Sequence, residues 1–371
     1  MKLNIVLQNL REFPDYLDYL YAYRQHVNAH NQYQSDIEWV VTKEAIPGAN
    51  NVLISYNSQI PVSDRFQLVL FDNQSEPISQ VLTPAELKYV NDPRVYYVAN
   101  SVVHANYPHA NKIIPFKKCM QYMRDFFLRP FYPQYYDERS TNVQGIAFLN
   151  GQNRANRQYI KSLIEEKCPH IPVNNSKLFD GQPVFKLNDA SIESAEDQQF
   201  RDTVNNMYDC KPSCYAEAIV VSLGNQKKFG SNFIIHHMHD AIKNKKVLIF
   251  PETTWCNDEI SVNEKIIKCF LYYTIPFPIA GRNTNKLYNK LGFYTAWNLL
   301  PNDLKVFDTI GNHVERLDHM VIAIDWLSKN INNIDTKDYA LKNYQNFLSN
   351  NFSQLSTRQL NQILVEKFGQ C

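Results

Sequence analysis

The chain is 371 residues long, more than one ordinary hydrophobic core holds and suited to two α/β domains of somewhat under about 200 residues each, with a cleft between lobes. Lysine and arginine total 38 against 37 acidic residues, so any attraction to nucleic acid must come from local patches, and a basic-tail DNA binder is excluded. Seven scattered cysteines, no signal-peptide pattern after Met1 and no apolar run near the roughly eighteen residues of a membrane span predict a soluble, cytoplasmic protein with reduced thiols. Glycine is scarce, at 10 residues, so a phosphate would be held by side chains and helix N-termini rather than by a Gly-rich loop.

In chain order, strands are expected at Leu3–Leu7, Ile37–Val41, Val52–Tyr56, Phe66–Phe71 and Val95–Val103, with a helix over Pro14–Ala29. That alternation reads as an open parallel sheet with flanking helices over residues 1–115. Residues 116–142, rich in Pro, aromatic and basic residues, read as an interdomain segment. A second α/β domain is expected over 143–330. It opens with the strand Gly145–Leu149 and a helix Arg154–Lys167, and continues with strands at Ala218–Leu223, Val247–Phe250 and Phe277–Ala280. Residues 331–371 read as a helical tail.

Residues 250–295 carry the most chemistry. The strand Val247–Phe250 ends in Pro251-Glu252-Thr253-Thr254, at the sheet edge where α/β proteins bind ligands. Ser261-Val262-Asn263-Glu264 then opens a helix with Ile266, Ile267, Phe270 and Leu271 at helical spacing. Glu264 and Lys265 fall in its first turn, where a carboxylate can accept from ribose hydroxyls and an ammonium can meet a diphosphate. A helix-start carboxylate beside a solvated lysine satisfies the same spacing. Gly281, at the end of the next strand, leaves room for close approach of a ligand.

This stretch resembles the C-terminal signature of phage-encoded and bacterial glycosyltransferases, with a Thr-Glu-Lys-Thr box, a Pro-Phe strand, a glycine and Leu-Gly-Phe-x-Thr. Here the corresponding residues are Asn263-Glu264-Lys265-Ile266, Pro276-Phe277, Gly281 and Leu291-Gly292-Phe293-Tyr294-Thr295. A related box occurs in α1,3-fucosyltransferases. Both threonines flanking Glu-Lys are absent, which leaves the identity of the donor open. The resemblance reaches Arg316 and, upstream, the Leu149-Asn150 strand end with Arg154 and Arg157. It implies a GT-B architecture of two Rossmann-like domains with C-terminal helices, with Glu264 on the donor ribose and Lys265, Arg154 and Arg157 on its phosphates.

The expected donor-binding set is therefore Asn150, Arg154, Arg157, Glu252, Glu264, Lys265 and Gly281. Arg154 and Arg157 are three apart at a helix start, so both can face one anion; solvated arginines fit the same pattern. Asp72 and Glu76, after the fourth strand, are the candidate catalytic bases, with turn formation as the alternative. Lys112, Lys117, Lys118, Arg124 and Arg129, among aromatic residues, are the candidate DNA contacts. No Asp-x-Asp is present, and His236-His237-Met238-His239 lacks zinc spacing, so no metal is expected. The resulting expectation is transfer of a sugar from a nucleotide-sugar co-substrate, such as a UDP-sugar, with no other cofactor. The acceptor would be a hydroxymethylated base in phage duplex DNA, in the host cytoplasm. A cell-surface or lipopolysaccharide glycan is the alternative acceptor, and a non-catalytic nucleotide-sugar or nucleic-acid binding protein the alternative class.

Overall fold

A computed structural model of the chain describes residues 2–8, 38–55, 62–73, 78, 88–99, 101–115, 144–150, 153–175, 183–187, 194–211, 242, 244–252, 255–261, 264–349 and 351–369. The expected helix Pro14–Ala29, the segment 116–142, the strand Ala218–Leu223 and the histidines 236, 237 and 239 lie outside the described residues. Two units form: Met1–Ser101, Pro108–Lys118 and Phe352–Cys371 make the first, Val102–Tyr107 and Cys119–Asn351 the second.

The strands in chain order are β1 (Lys2–Gln8), β2 (Glu38–Thr42), β3 (Asn50–Ser55), β4 (Leu68–Asn73), β5 (Val95–Ala99), β6 (Val102–Val103), β7 (Ile113–Pro115), β8 (Ile146–Asn150), β9 (Val173–Asn175), β10 (Val247–Pro251), β11 (Glu259–Ile260) and β12 (Ile275–Ile279). The helices are α1 (Ala155–Lys167), α2 (Ala195–Met207), α3 (Glu264–Leu271), α4 (Thr284–Lys290), α5 (His313–Asn330), α6 (Lys337–Leu348) and α7 (Asn351–Phe368).

The first unit is a six-stranded parallel sheet in the order β2-β1-β3-β4-β5-β7. Successive side chains of a strand point to opposite faces. The alternate residues Leu3, Ile5, Val52, Ile54, Leu68, Leu70, Tyr96, Val98 and Ile114 accordingly form one apolar face, and Ile363 and Leu364 of α7 cover it. Gln359 Nε2 on the same helix donates to the Ile113 carbonyl at 2.9 Å. Of the two C-terminal helices, α6 thus belongs to the second unit and α7 to the first.

The second unit is built on a four-stranded parallel sheet, β12-β10-β8-β9. Every residue of β8, β10 and β12 is buried, the unbroken apolar run of strands covered on both faces. Ile160 and Ile164 of α1, Phe200 and Val204 of α2 and Leu317, Ile324 and Leu327 of α5 pack with Phe148, Ile249 and Phe277. On α3, the spacing read from sequence holds: Ile266, Ile267, Phe270 and Leu271 are all buried.

β12 is an edge strand carrying two prolines. Ile275 N donates to the Lys246 carbonyl at 2.9 Å, so Ile275, Phe277 and Ile279 face β10, and Pro276 and Pro278 fall on the outer side, where their missing N–H groups cost nothing. The run Val95–Val103, expected as one strand, is two: β5 lies in the first sheet, whereas β6 pairs antiparallel with β11 in the second unit.

Candidate functional site

In the second sheet, β8 sits between β9 and β10, and β10 between β8 and β12. From β8 the chain moves through α1 to β9 on one side; from β10 it moves through α3 to β12 on the other. Connections diverge at β8/β10, which makes their carboxyl edge the topological switch point, the place where open α/β sheets receive ligands. The register pairs Ile249 with Phe148, which sets Asn150 level with Pro251, one residue before Glu252.

Asn150, Arg154, Arg157, Glu252, Glu264 and Lys265 therefore all follow the carboxyl ends of these two neighbouring strands. Asn150 is the last residue of β8, Arg154 is the N-cap of α1 and Arg157 lies in its first turn. Glu264 and Lys265 are the first two residues of α3. Lys265 is half-buried, and the side chain of Glu264 lies outside the described set. Arg154 and Arg157 are 8% and 2% exposed, so neither is the solvated surface arginine that the spacing alone allows.

The N-terminus of α1 differs in charge from its neighbours. Helix starts carry partial positive charge and favour acids. At α2, Ser194 and Asp197 form a capping box. At α5, Asn312 accepts from Val314 N and Glu315 N. At α4, Asp308 receives Asn285 N at 2.9 Å and Lys286 N at 3.1 Å; burial is the main influence on Asp308 and holds its carboxyl above the ordinary value. At α1 there is no acid in the first turn and no side-chain cap, and the N-cap is a cation. Both guanidiniums there are buried. Asn156, between them in sequence, is fully buried, and its Oδ1 and Nδ2 have no hydrogen-bond partner among the described residues.

Several expectations are corrected. Gly281 does not leave room for a ligand: a Cβ there would lie 2.1 Å from the Cys256 carbonyl oxygen, so the chain's own backbone fills the space. Glu252 is a buried carboxylate whose Oε1 accepts from the Tyr288 hydroxyl at 2.9 Å, a contact within the unit's own core. The Lys112 ammonium donates to the carbonyls of Asp92 at 2.7 Å and Val95 at 3.2 Å and lies 4.8 Å above the Tyr96 ring, contacts within its own unit. Burial, with Lys367 nearby, lowers its pKa. Asp72 is not in a turn: it pairs with Val98 inside β4. Glu76, Lys117, Lys118, Arg124 and Arg129 lie outside the described residues.

The Leu291–Thr295 motif serves packing. Gly292 takes φ 80°, and Phe293 stacks on Phe270 of α3. Asn343 of α6 accepts from Tyr294 N at 2.7 Å and donates to its carbonyl at 2.8 Å. Thr295 Oγ1 donates to Asn285 Oδ1 at 2.7 Å.

A polar cluster that sequence reading touched only at Arg316 lies beside these loops. Asp197, His313 and Arg316 are buried together. Asp197 accepts from Asn257 N at 3.0 Å, and Asn257 Oδ1 accepts from Arg316 Nη1 at 3.0 Å and Arg282 N at 2.7 Å. Asp258, in the left-handed region at φ 65°, holds Arg282 Nη2 at 2.6 Å and Asn283 Nδ2 at 2.6 Å. Among the described residues no group of three or more His, Cys, Asp or Glu side chains is placed to hold a metal, and no helix is long and apolar enough to cross a membrane.

No protein-family model matches the chain, and no curated protein matches it. Solved structures of an α1,3-fucosyltransferase are similar at 12–13% identity. One covers 99% of this chain and 89% of its own with a TM-score of 0.34. The form with GDP covers 96% and 90% with a TM-score of 0.35, and the form with GDP-fucose covers 96% and 90% with a TM-score of 0.39.

Proposed function

We propose that this chain is a GT-B-type glycosyltransferase that moves a sugar from a nucleotide-sugar donor to an acceptor hydroxyl. The observation that carries the reading is the start of α1: two buried arginines, no acid in the first turn, at the switch point of a parallel sheet. Guanidinium forks and helix N–H groups match the oxygens of a diphosphate. Lys265, at the start of the neighbouring helix, adds a third cation, and Glu264 supplies acceptors for the ribose hydroxyls. In transfer, the diphosphate leaves with growing negative charge, which these cations stabilise without a metal.

Thermal-shift titration with UDP-, GDP- and dTDP-sugars tests the donor site, because a ligand that binds the folded state raises its apparent stability. Absence of any shift and of any nucleoside diphosphate release across the panel overturns the reading. Turnover that persists in EDTA supports the metal-independent form, and complete loss restored by Mg²⁺ or Mn²⁺ rejects it. The acceptor we propose is a hydroxymethylated DNA base, with a glycan hydroxyl as competitor. A mass gain on duplexes containing hydroxymethylcytosine or hydroxymethyluracil, set against oligosaccharide acceptors, separates the two.

A further inference from the structure

Arg316 can only donate, and the nitrogen it meets is His313 Nδ1. That contact fixes the proton inventory of the buried cluster. Nδ1 must be an acceptor, the imidazole is neutral, and its one proton sits on Nε2, which donates to Asp197 Oδ1 at 2.5 Å. Arg316 spends its other donors on loop backbone and one side chain: Nε on the Ala280 carbonyl at 3.0 Å, Nη1 on the Ile310 carbonyl at 2.8 Å, the Gly311 carbonyl at 3.2 Å and Asn257 Oδ1. One guanidinium therefore ties together the chain after β10, the chain after β12 and the approach to α5, and the neutral imidazole keeps it in place.

We propose that Asp197, His313 and Arg316 form an acid-released latch that pins residues 255–258 and 280–283 of the second unit. A second proton on the imidazole turns Nδ1 from acceptor into donor, pointed at a guanidinium that has nothing to accept with. Phe200 stacks on the imidazole at 4.8 Å and Trp255 lies against it at 5.6 Å, so the ring is held among aromatic side chains. The charged groups acting on the ring are Asp197 and Glu196 from α2 and Arg316 from α5; Arg316 in turn feels Asp197, Asp258 from the chain after β10, Arg282 from the chain after β12 and Asp308 from the 3-10 turn Asn302–Thr309. Burial first, then Arg316, pushes the His313 pKa from 6.5 to about 4, against the pull of Asp197. Asp197 stays ionised: burial raises its pKa, but the bonds from His313 and Ser194 outweigh that and lower it.

The sign follows from linkage. With the folded value below the unfolded one, the latch is at full strength above pH 6.5 and weakens as the pH falls toward about 4. The opening constant rises about tenfold per pH unit across that window and levels off below it. None of this requires the donor site to be correctly assigned.

Two measurements on the intact protein test it. Long-range ¹H–¹⁵N spectra should contain one histidine, assigned by its loss in His313→Gln, with an acceptor-type Nδ1 and a protonated Nε2, still neutral at pH 6. Hydrogen-exchange mass spectrometry, corrected for intrinsic rates, should show residues 255–261 and 280–283 losing protection about tenfold per pH unit below 6.5. His313→Gln keeps a donor toward Asp197 and cannot titrate, so its loops should show no such dependence. A proton on Nδ1, titration of this ring together with exposed histidines, or the same loss of protection in His313→Gln overturns the latch. If that variant does not fold, selective ¹⁵N shifts and exchange on the unmodified chain still decide.

Discussion

Phe293 lies flat on Phe270, ring centroids 4.3 Å apart and planes 10° from parallel. The pair couples the Leu-Gly-Phe-Tyr-Thr motif to the helix that begins with Glu264 and Lys265, and both rings are buried to within 1%. Phe270→Ala should therefore destabilise the second unit by about 3–5 kcal/mol, read as a lower denaturation midpoint at unchanged slope. A loss under about 1 kcal/mol would show that the pair does not carry the packing.

Gly281→Ala tests whether the glycine serves the chain or a ligand. The added methyl meets the Cys256 backbone and no flexible side-chain end, so a loss of about 3 kcal/mol or more is expected without any nucleotide present. Stability equal to that of the unmodified chain, combined with weaker nucleotide binding, would return Gly281 to the ligand site.

Arg154→Met and Arg157→Met keep much of the stem volume and remove charge from the start of α1. If these arginines answer a diphosphate, each substitution should weaken nucleotide-sugar affinity tenfold to a hundredfold, about 1.5–3 kcal/mol. The ligand-free protein should stay folded, with an unchanged circular-dichroism spectrum. Reduced stability with unchanged affinity would make them structural arginines.

Glu264→Ala and Lys265→Ala should lower donor affinity by a similar tenfold to hundredfold, with the circular-dichroism spectrum unchanged. Isothermal titration with a nucleoside diphosphate and with the bare nucleoside separates their roles: Lys265 should matter only for the diphosphate, Glu264 for both.

Asn156→Leu replaces a buried amide that has no hydrogen-bond partner among the described residues by an apolar side chain of similar size. A gain of about 1 kcal/mol in stability is expected, measured by denaturant unfolding. A loss of that size would show that the amide is satisfied in the folded protein in solution.

Much of this architecture was legible. Parallel strands covered on both faces read as short apolar runs, which is why β1, β3, β8 and β10 stood out, and α3 announced itself through Ile266, Ile267, Phe270 and Leu271. The helix starts at Arg154 and Glu264 follow from strand ends, so one carboxyl edge was within reach of sequence reasoning. The failures have physical causes. In Val95–Val103 the change of sheet is marked by no more than the polar pair Asn100-Ser101 between two apolar halves, a break too short to separate two strands from one. A lysine among aromatic residues looks the same whether its ammonium meets solvent or, as Lys112 does, two carbonyls of its own unit. Asp197 and His313 are 116 positions apart, and only folding brings such a pair together.

The helix that closes the first core is made long after the strands it covers. Leu3, Ile5, Val52 and Leu68 wait for Ile363 and Leu364, and residues 119–351 of the other unit emerge from the ribosome in between. At typical synthesis rates the wait is on the order of ten to fifty seconds. Throughout it, the nascent first sheet has one greasy face without its cover, while the second unit has all its residues in hand and can finish first. The order of maturation thus runs against the order of translation, and a nascent chain stalled before residue 352 should present that bare face to chaperones.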